Sequence, residues 1–255
     1  MKCIGFLGCD GSLLCADYER FVVREVTERY VGQVRASFVA LTLHLPALMD
    51  ASETNDRSQL DRLIATGVSA LEGLGAQAVV VCTSALQPRI ERLFPGRDGQ
   101  LMADAVIPVV SMARRRRVGV VGAIDDEEER FWRRRFCEFG RSEALFPVAA
   151  DRAHLARLIA EEFSHGLINE TACADVRRIL YGLRQAGAQA FVFLTPALGA
   201  VMAQADSVPP IFDATEVHAL AVVDWALGLR VEISPRPGGS EPRESPKHRS
   251  VHTPA

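Results

Sequence analysis

Hydrophobic and polar positions along the chain fall into two alternating kinds of segment. Short apolar runs at Cys3–Leu7, Ala78–Cys82, Val118–Gly122 and Ala190–Leu194 show no polar alternation and predict strands covered on both faces. Val34–Leu43 and Val106–Val110 predict two more, with Pro108 restricting the latter to an edge or a strand end. Between these runs, apolar residues recur at helical spacing. Phe21, Val22, Val26 and Tyr30 predict a helix over Asp17–Tyr30, and Leu63, Ile64, Val68 and Leu71 predict one over Asp61–Leu74. Asp125–Arg135 carries acids in its first turn and arginines in its last, as the helix dipole favours. Asp151 is placed to cap a helix bearing Leu155, Leu158, Ile159 and Phe163. Val176, Ile179, Leu180 and Leu183 mark another helix, and Val217–Leu227 the last. Strands that alternate with helices predict the α/β class with mostly parallel sheets.

The pattern occurs twice. Ile4-Gly5-Phe6-Leu7-Gly8 matches Val118-Gly119-Val120-Val121-Gly122 at an offset of 114 residues. Gly75-Ala76-Gln77-Ala78, followed by Thr83-Ser84-Ala85-Leu86, matches Gly187-Ala188-Gln189-Ala190, followed by Thr195-Pro196-Ala197-Leu198, at an offset of 112. Two motifs in one order at nearly one offset predict a duplication, hence two pseudo-symmetric lobes. Ligands of open α/β sheets bind beyond the carboxyl ends of strands, so two such ends would meet across one cleft. In that arrangement Thr83 and Thr195 are equivalent and face each other.

Composition narrows the class of partner. Apolar residues make up 48% of the chain, charged residues 24%, and the formal net charge is −3. No basic bias points to nucleic acid or an anionic membrane, and no run of about 18 apolar residues is present to span a bilayer. Arg114–Arg117 and Arg133–Arg135 flank the acids at 125–129 and are read as a solvated face. The six cysteines (3, 9, 15, 82, 137, 173) lack metal spacing, His154 and His165 lack a second ligand at such spacing, and no metal is expected. With no export signal legible in Met1–Gly8, reduced thiols in a cytoplasm are expected. Residues 229–255, rich in proline and charge, are read as a disordered tail without chemistry.

Several segments together resemble the cofactor-independent aspartate/glutamate racemase superfamily from Met1 to about Leu227. They are Lys2–Gly8, Val79–Ala85, Val120-Val121-Gly122, His165-Gly166, Gly187–Thr195, and Phe212-Asp213-Ala214-Thr215-Glu216-Val217-His218-Ala219 with Val223-Asp224-Trp225-Ala226-Leu227. The last is the most specific, being similar to the family's Asp-Thr-Thr-x-x-His-Ala…Val-Asp-x-Ala-Leu. The expected organisation is two three-layer lobes with the active-site cleft between them. The first spans 1–110 and is completed by 210–228; the second spans 111–209. The resemblance implies PLP-independent proton transfer at the α-carbon of a small carboxylate such as aspartate or glutamate. One lobe's thiol takes the proton and the other lobe's thiol returns one from the far face. It also implies a homodimer.

The chain departs from the family at the reacting positions. The family's second-lobe Gly-Cys-Thr-Glu reads Leu194-Thr195-Pro196-Ala197 here, so Thr195 stands where cysteine is expected. The first-lobe motif, Cys-Asn-Thr or Cys-Thr-Asn-Thr in relatives, reads Cys82-Thr83-Ser84-Ala85. Relatives' Gly-Gly-Met-Ser is Gly8-Cys9-Asp10-Gly11, their Gly-Thr is Gly122-Ala123, and their Asp-Thr-Thr is Asp213-Ala214-Thr215. A threonine hydroxyl is too weak an acid to serve as base without a partner.

The expected catalytic set is therefore Cys82, Thr83, Thr195 and His218. The expected substrate contacts are Cys9, Asp10, Ser84, Ala85, Ala123, Pro196, Asp213 and Thr215. Cys82 fits either a functional thiol or a buried small apolar residue, and either Cys82 or Thr83 faces the cleft. His218 fits a site contact or a helix cap, and Cys9 fits a turn residue or a thiol activated by a helix N-terminus. Three functions fit these residues: a racemase-like isomerase, a related lyase or isomerase using one thiol or Asp10, and a non-catalytic carboxylate binder.

Overall fold

The repeat is visible as two parallel sheets. A computed structural model describes residues 1–9, 14–29, 34–43, 57–95, 101–202 and 209–229. The first sheet has the order β2-β1-β3, from β1 (Ile4–Cys9), β2 (Phe38–Leu43) and β3 (Ala78–Val81). The second has the order β5-β4-β6-β7, from β4 (Arg117–Val121), β5 (Glu143–Leu145), β6 (Ala190–Phe193) and β7 (Ile211–Asp213). Ile4 pairs with Ala78 in the first sheet, and Val118 pairs with Ala190 in the second. These are the residues that the two sequence offsets relate, so the duplication holds down to strand register.

The Gly-Ala-Gln-Ala motif has a structural use in both lobes. Gly75 and Gly187 have φ of 95° and 97°, where a side chain would be strained, and they stop the preceding helices. The following alanines donate back into those helices, Ala76 to Leu71 O and Ala188 to Leu183 O, each at 3.0 Å. Gln77 Oε1 accepts from the Cys3 N–H at 3.2 Å, and Gln189 Oε1 from the Arg116 N–H at 2.9 Å. Each glutamine thus ties the start of one strand to the start of its neighbour.

Helices cover both sheets. They are α1 (Leu14–Arg29), α2 (Arg57–Gly73), α3 (Gln87–Leu93), α4 (Met102–Met112), α5 (Asp126–Arg135), α6 (Ala149–Glu161), α7 (Glu170–Gln185), α8 (Pro196–Met202) and α9 (Ala214–Ala226). Strand residues alternate between two destinations. Val79 and Val81 enter a core with α2, and Phe191 and Phe193 enter one with α6 and α7. Ile4, Phe6, Val80 and Cys82 enter a third core together with Val118, Val120, Val192 and Leu194. That third core holds residues of both sheets, joined by Tyr18 of α1, Met102 and Val106 of α4, Trp132 of α5 and Val222 of α9.

Three expectations are corrected. Val106–Val110 lies inside α4 and is not a strand. That helix is buried almost all round, so no polar stripe displayed its period, and Pro108 sits within it at a cost of about 3 kcal/mol that burial offsets. Asp151 does not cap α6: the cap is Val148, and Asp151 in the first turn pairs with Arg178 at 2.8 Å. Segment 210–228 does not complete the first lobe as a unit. Its strand β7 extends the second sheet, while its helix α9 packs on α1 and α4. Residues 230–255, nearly all of the expected tail, lie outside the described residues, as does Tyr30 at the expected end of the first helix.

Candidate functional site

The carboxyl ends of the strands gather most of the expected residues. Cys82 donates its N–H to Leu7 O of β1, and Leu194 donates to Val121 O of β4, both at 2.9 Å. Cys82 is thereby the equivalent of Leu194, and Thr83 of Thr195. Cys82 is 0% exposed and Leu194 lies in the same shared core, whereas Thr83 and Thr195 are half-buried. Backbone alternation decides this: the residue that continues the inward-facing row of each strand is Cys82 or Leu194. The expectation that Cys82 itself could line the cleft is corrected on that ground. Ser84 opens a short 3-10 turn and is buried, while Ala85 is exposed. In the second lobe Ala123 is exposed and Pro196 begins α8 half-buried. Asp10 and the side chain of Cys9 lie outside the described residues.

Beneath the first-lobe strand ends lies a polar cluster. Cys15, in the first turn of α1, shares a thiol–thiol hydrogen bond with Cys82. That bond holds the Cys15 thiol below the ordinary range, against burial and the nearby Glu19 charge. One turn along α1, the buried Tyr18 hydroxyl lies 2.7 Å from His218 Nδ1, and the two rings meet edge-on at 5.6 Å. Burial raises the Tyr18 phenol well above its usual range, reinforced by Cys82, Asp213 and Cys15. The phenol therefore stays protonated, and its hydroxyl shares a hydrogen bond with Nδ1 whose direction follows the imidazole tautomer. His218 sits in the second turn of α9, fully buried, and is not a helix cap. The cap is Asp213, whose Oδ1 accepts from the N–H groups of Thr215 at 2.9 Å and Glu216 at 3.1 Å. Burial pushes Asp213 up to about 6, opposed by those two N–H groups and assisted by the Glu216 and Asp17 charges. Thr215 is fully buried beside it, its hydroxyl without a partner among the described residues.

A second feature crosses between the lobes. Glu128 of α5, 1% exposed, brings its carboxyl against Ser84 and the Trp132 indole without a well-formed hydrogen bond to either. Burial pushes it up to about 8; the Ser84 and Trp132 donors oppose the rise and the Asp125 charge adds to it. Arg135, on the same face, is buried and bonds Asp104 Oδ1 of α4 at 2.5 Å. The expectation that Arg133–Arg135 is a solvated face is thus corrected for Arg135.

Sequence reasoning missed Cys15, Tyr18 and Glu128. Glu128 was legible: with Phe131, Trp132 and Arg135 it makes an i, i+3, i+4, i+7 stripe, the buried face of α5. Cys15 and Tyr18 carry no local signal, since their partners lie 67 and 200 residues away. Among the described residues no cluster could hold a metal ion, and no helix is long and apolar enough to cross a membrane.

No family model matches the chain. Among solved structures, a candidate Asp/Glu racemase from Yersinia pestis superposes with a TM-score of 0.77 at 26% identity, covering 89% of this chain and 100% of that one. An aspartate racemase homologue from Pyrococcus horikoshii gives 0.70 at 18%, covering 89% and 100%. Glutamate racemase from Francisella tularensis, in complex with D-glutamate, gives 0.62 at 9%, covering 89% and 82%. The latter two share the fold. A whole-length likeness to a 26%-identical relative, built on the same in-register repeat, makes this chain a member of the aspartate/glutamate racemase superfamily.

Proposed function

We propose that the protein is a PLP-independent isomerase that moves a proton at the α-carbon of a small carboxylate, an acidic amino acid by preference. The observation that carries this reading is the pair of equivalent strand ends, Cys82-Thr83 and Leu194-Thr195, each reached through the same register in a racemase fold. Thr83 and Thr195 take opposite faces of the substrate. Ser84, Ala85, Ala123, Pro196 and the Asp213–Thr215 turn surround it, with Cys9 and Asp10 at the first glycine turn. His218 acts from behind this shell. Backbone N–H groups at the strand ends stabilise the charge that develops on the carboxylate. The setting is cytoplasmic and the enzyme works as a homodimer.

The test is exchange of the substrate α-hydrogen for deuterium in heavy water, followed by NMR over aspartate, glutamate and a panel of other amino acids. Exchange with an acidic member is expected. No exchange with any member overturns the reading.

One observation favours a second reading. The described thiols near the strand ends, Cys15 and Cys82, belong to the first lobe, and Leu194 occupies the second-lobe equivalent. One-sided thiol chemistry suits a lyase that protonates a single face of a carbanion. Loss of carbon dioxide from a malonate-type acid, seen by mass spectrometry, would select it.

A further inference from the structure

We propose that Tyr18 is a positioning residue of the candidate site: through His218 it holds the N-terminal end of α9, with its Asp213-Ala214-Thr215 turn, in register with the N-terminal end of α1. The inference deepens the proton-transfer reading above and rests on it for the identity of the reaction, though not for the register of the two helices.

Both helices start where ligands of parallel sheets bind. α1 is the helix that follows β1, and α9 begins directly at the carboxyl end of β7. Tyr18 and His218 are 200 residues apart in sequence, and α9 packs on α1. Tyr18 is the fifth residue of α1 and His218 the fifth of α9. At a rise of about 1.5 Å per residue, their contact lies about 6 Å in from either helix start. The hydroxyl lies 2.7 Å from Nδ1, the rings meet edge-on at 5.6 Å, and both side chains are 0% exposed. A slip of α9 along α1 by one residue would break this bond and leave two polar groups buried without it. The ion pairs that also join the helices, Arg24–Glu216 and Arg29–Asp224, lie at the surface and fix the register only weakly.

The duplication supplies an internal control. At the offsets that relate the two halves, 114 residues for β1 and 112 for the later motif, Tyr18 corresponds to Trp132 of α5 and His218 to Val106 of α4. α4 packs on α5, and Trp132 and Val106 both lie in the shared core. The fold is thus satisfied by apolar residues at the equivalent helix contact. A buried polar pair need not stabilise more than packed apolar side chains of similar volume, but it admits one register. The helix starts differ in the same way. α9 is capped by Asp213, which accepts from the Thr215 and Glu216 N–H groups at 2.9 and 3.1 Å, whereas α4 starts at Leu101 with no side-chain cap bond. The polar contact therefore belongs to the half whose helix start carries polar site residues.

In the proposed reaction the Asp213–Thr215 turn forms one wall of the site, and Cys9 and Asp10, between β1 and α1, belong to another. Tyr18 is fully buried and touches no substrate. It acts through His218, by fixing how far apart those two walls stand. A misplacement of about 1 Å between reacting or binding groups can cost about a hundredfold in rate.

Two measurements separate this inference from the reaction it serves. The first needs no substrate: amide hydrogen exchange of the full chain, resolved by peptide mass spectrometry. Tyr18→Phe keeps the ring and removes the hydroxyl. In that variant the peptide spanning 213–219 should exchange at least about tenfold faster relative to the peptides of β4 and β6, which report any general loss of stability. In a His218→Val background, which places there the residue found at the equivalent position of α4, Tyr18→Phe should not change that ratio further, as expected of two residues that act as a unit. An unchanged ratio in Tyr18→Phe, or a further change in the His218→Val background, overturns the assignment. Should Tyr18→Phe not fold, Tyr18→Trp, the residue at the equivalent position of α5, carries the same comparison. The second measurement is α-deuterium exchange on an accepted substrate. Tyr18→Phe should lower kcat at least about tenfold while KM changes by less than about threefold. Wild-type turnover in the folded variant overturns the positioning role while leaving the proposed function intact. An absence of α-exchange in the wild type, with the amide-exchange profile as expected, overturns the function and leaves the register bond.

Discussion

Burying Glu128 makes the stability of the protein fall as pH rises through neutrality. The carboxyl is enclosed, and its pKa rises from 4.5 to about 8 on folding. The folded chain therefore holds a proton that the unfolded chain releases, and stability declines wherever the folded state binds more protons. Its contribution is fully present below the unfolded value, is lost progressively as pH rises, and levels off above the folded value. From about pH 5 to about pH 7 the loss is about 2 to 3 kcal/mol, and the complete shift corresponds to on the order of 5 kcal/mol. For a chain of this size that first interval is worth about 5 to 10 °C in melting temperature. Glu128→Gln keeps the shape and removes the titration. Melting curves of both proteins over about pH 5 to pH 9 should therefore diverge, with the variant gaining relative to wild type as pH rises. A pH-independent offset added to that divergence would reflect the amide's own fit, whereas curves that stay parallel across the range, offset or not, would refute the buried, protonated Glu128.

Three further outcomes follow from the geometry. Tyr18→Phe removes the hydroxyl hydrogen-bonded to His218 Nδ1 at 2.7 Å and should cost about 1 to 3 kcal/mol in urea unfolding; a loss under about half a kcal/mol would mean that the bond adds nothing net. Gly75→Ala and Gly187→Ala should each cost about 1 to 2 kcal/mol, since both sit at a φ near 95°. Matching losses are expected because the Arg117 side chain that crowds Gly187 can move, and a tolerated substitution at either site would break the equivalence of the two helix stops. Asp213→Ala should lose about 1 kcal/mol relative to Asp213→Asn, which keeps an acceptor for the Thr215 and Glu216 N–H groups; equal stability would show that the cap is not needed to hold α9.

The fold was legible where local rules and the repeat spoke together. Gly75 and Gly187, Ala76 and Ala188, and Gln77 and Gln189 recur because each performs one local task, stopping a helix or tying adjacent strand starts. The α4 segment was illegible because a helix enclosed on nearly all sides has no polar face, and Pro108 argued for the wrong element. At the site, the equivalence of Thr83 and Thr195 could be read from the offset alone. The orientation of Cys82 could not, since one residue of strand register decides which face it joins. Cys15 and Tyr18 became visible only when α1, β3 and α9 came together, because contacts at long sequence separation leave no periodic trace. Glu128 lies in a run of acids that reads as helix-dipole decoration, and only its i, i+3, i+4, i+7 stripe with Phe131, Trp132 and Arg135 sets it apart from its neighbours.

Proton transfer at an α-carbon is the role proposed for the two strand ends. The most direct measurement follows the α-hydrogen resonance of L- and D-aspartate and L- and D-glutamate in heavy water with the native protein. Loss of that resonance for at least one of them, abolished by heat denaturation, is the predicted result. A resonance that persists for all four and for the wider amino-acid panel, with the protein shown to be folded, would contradict the account.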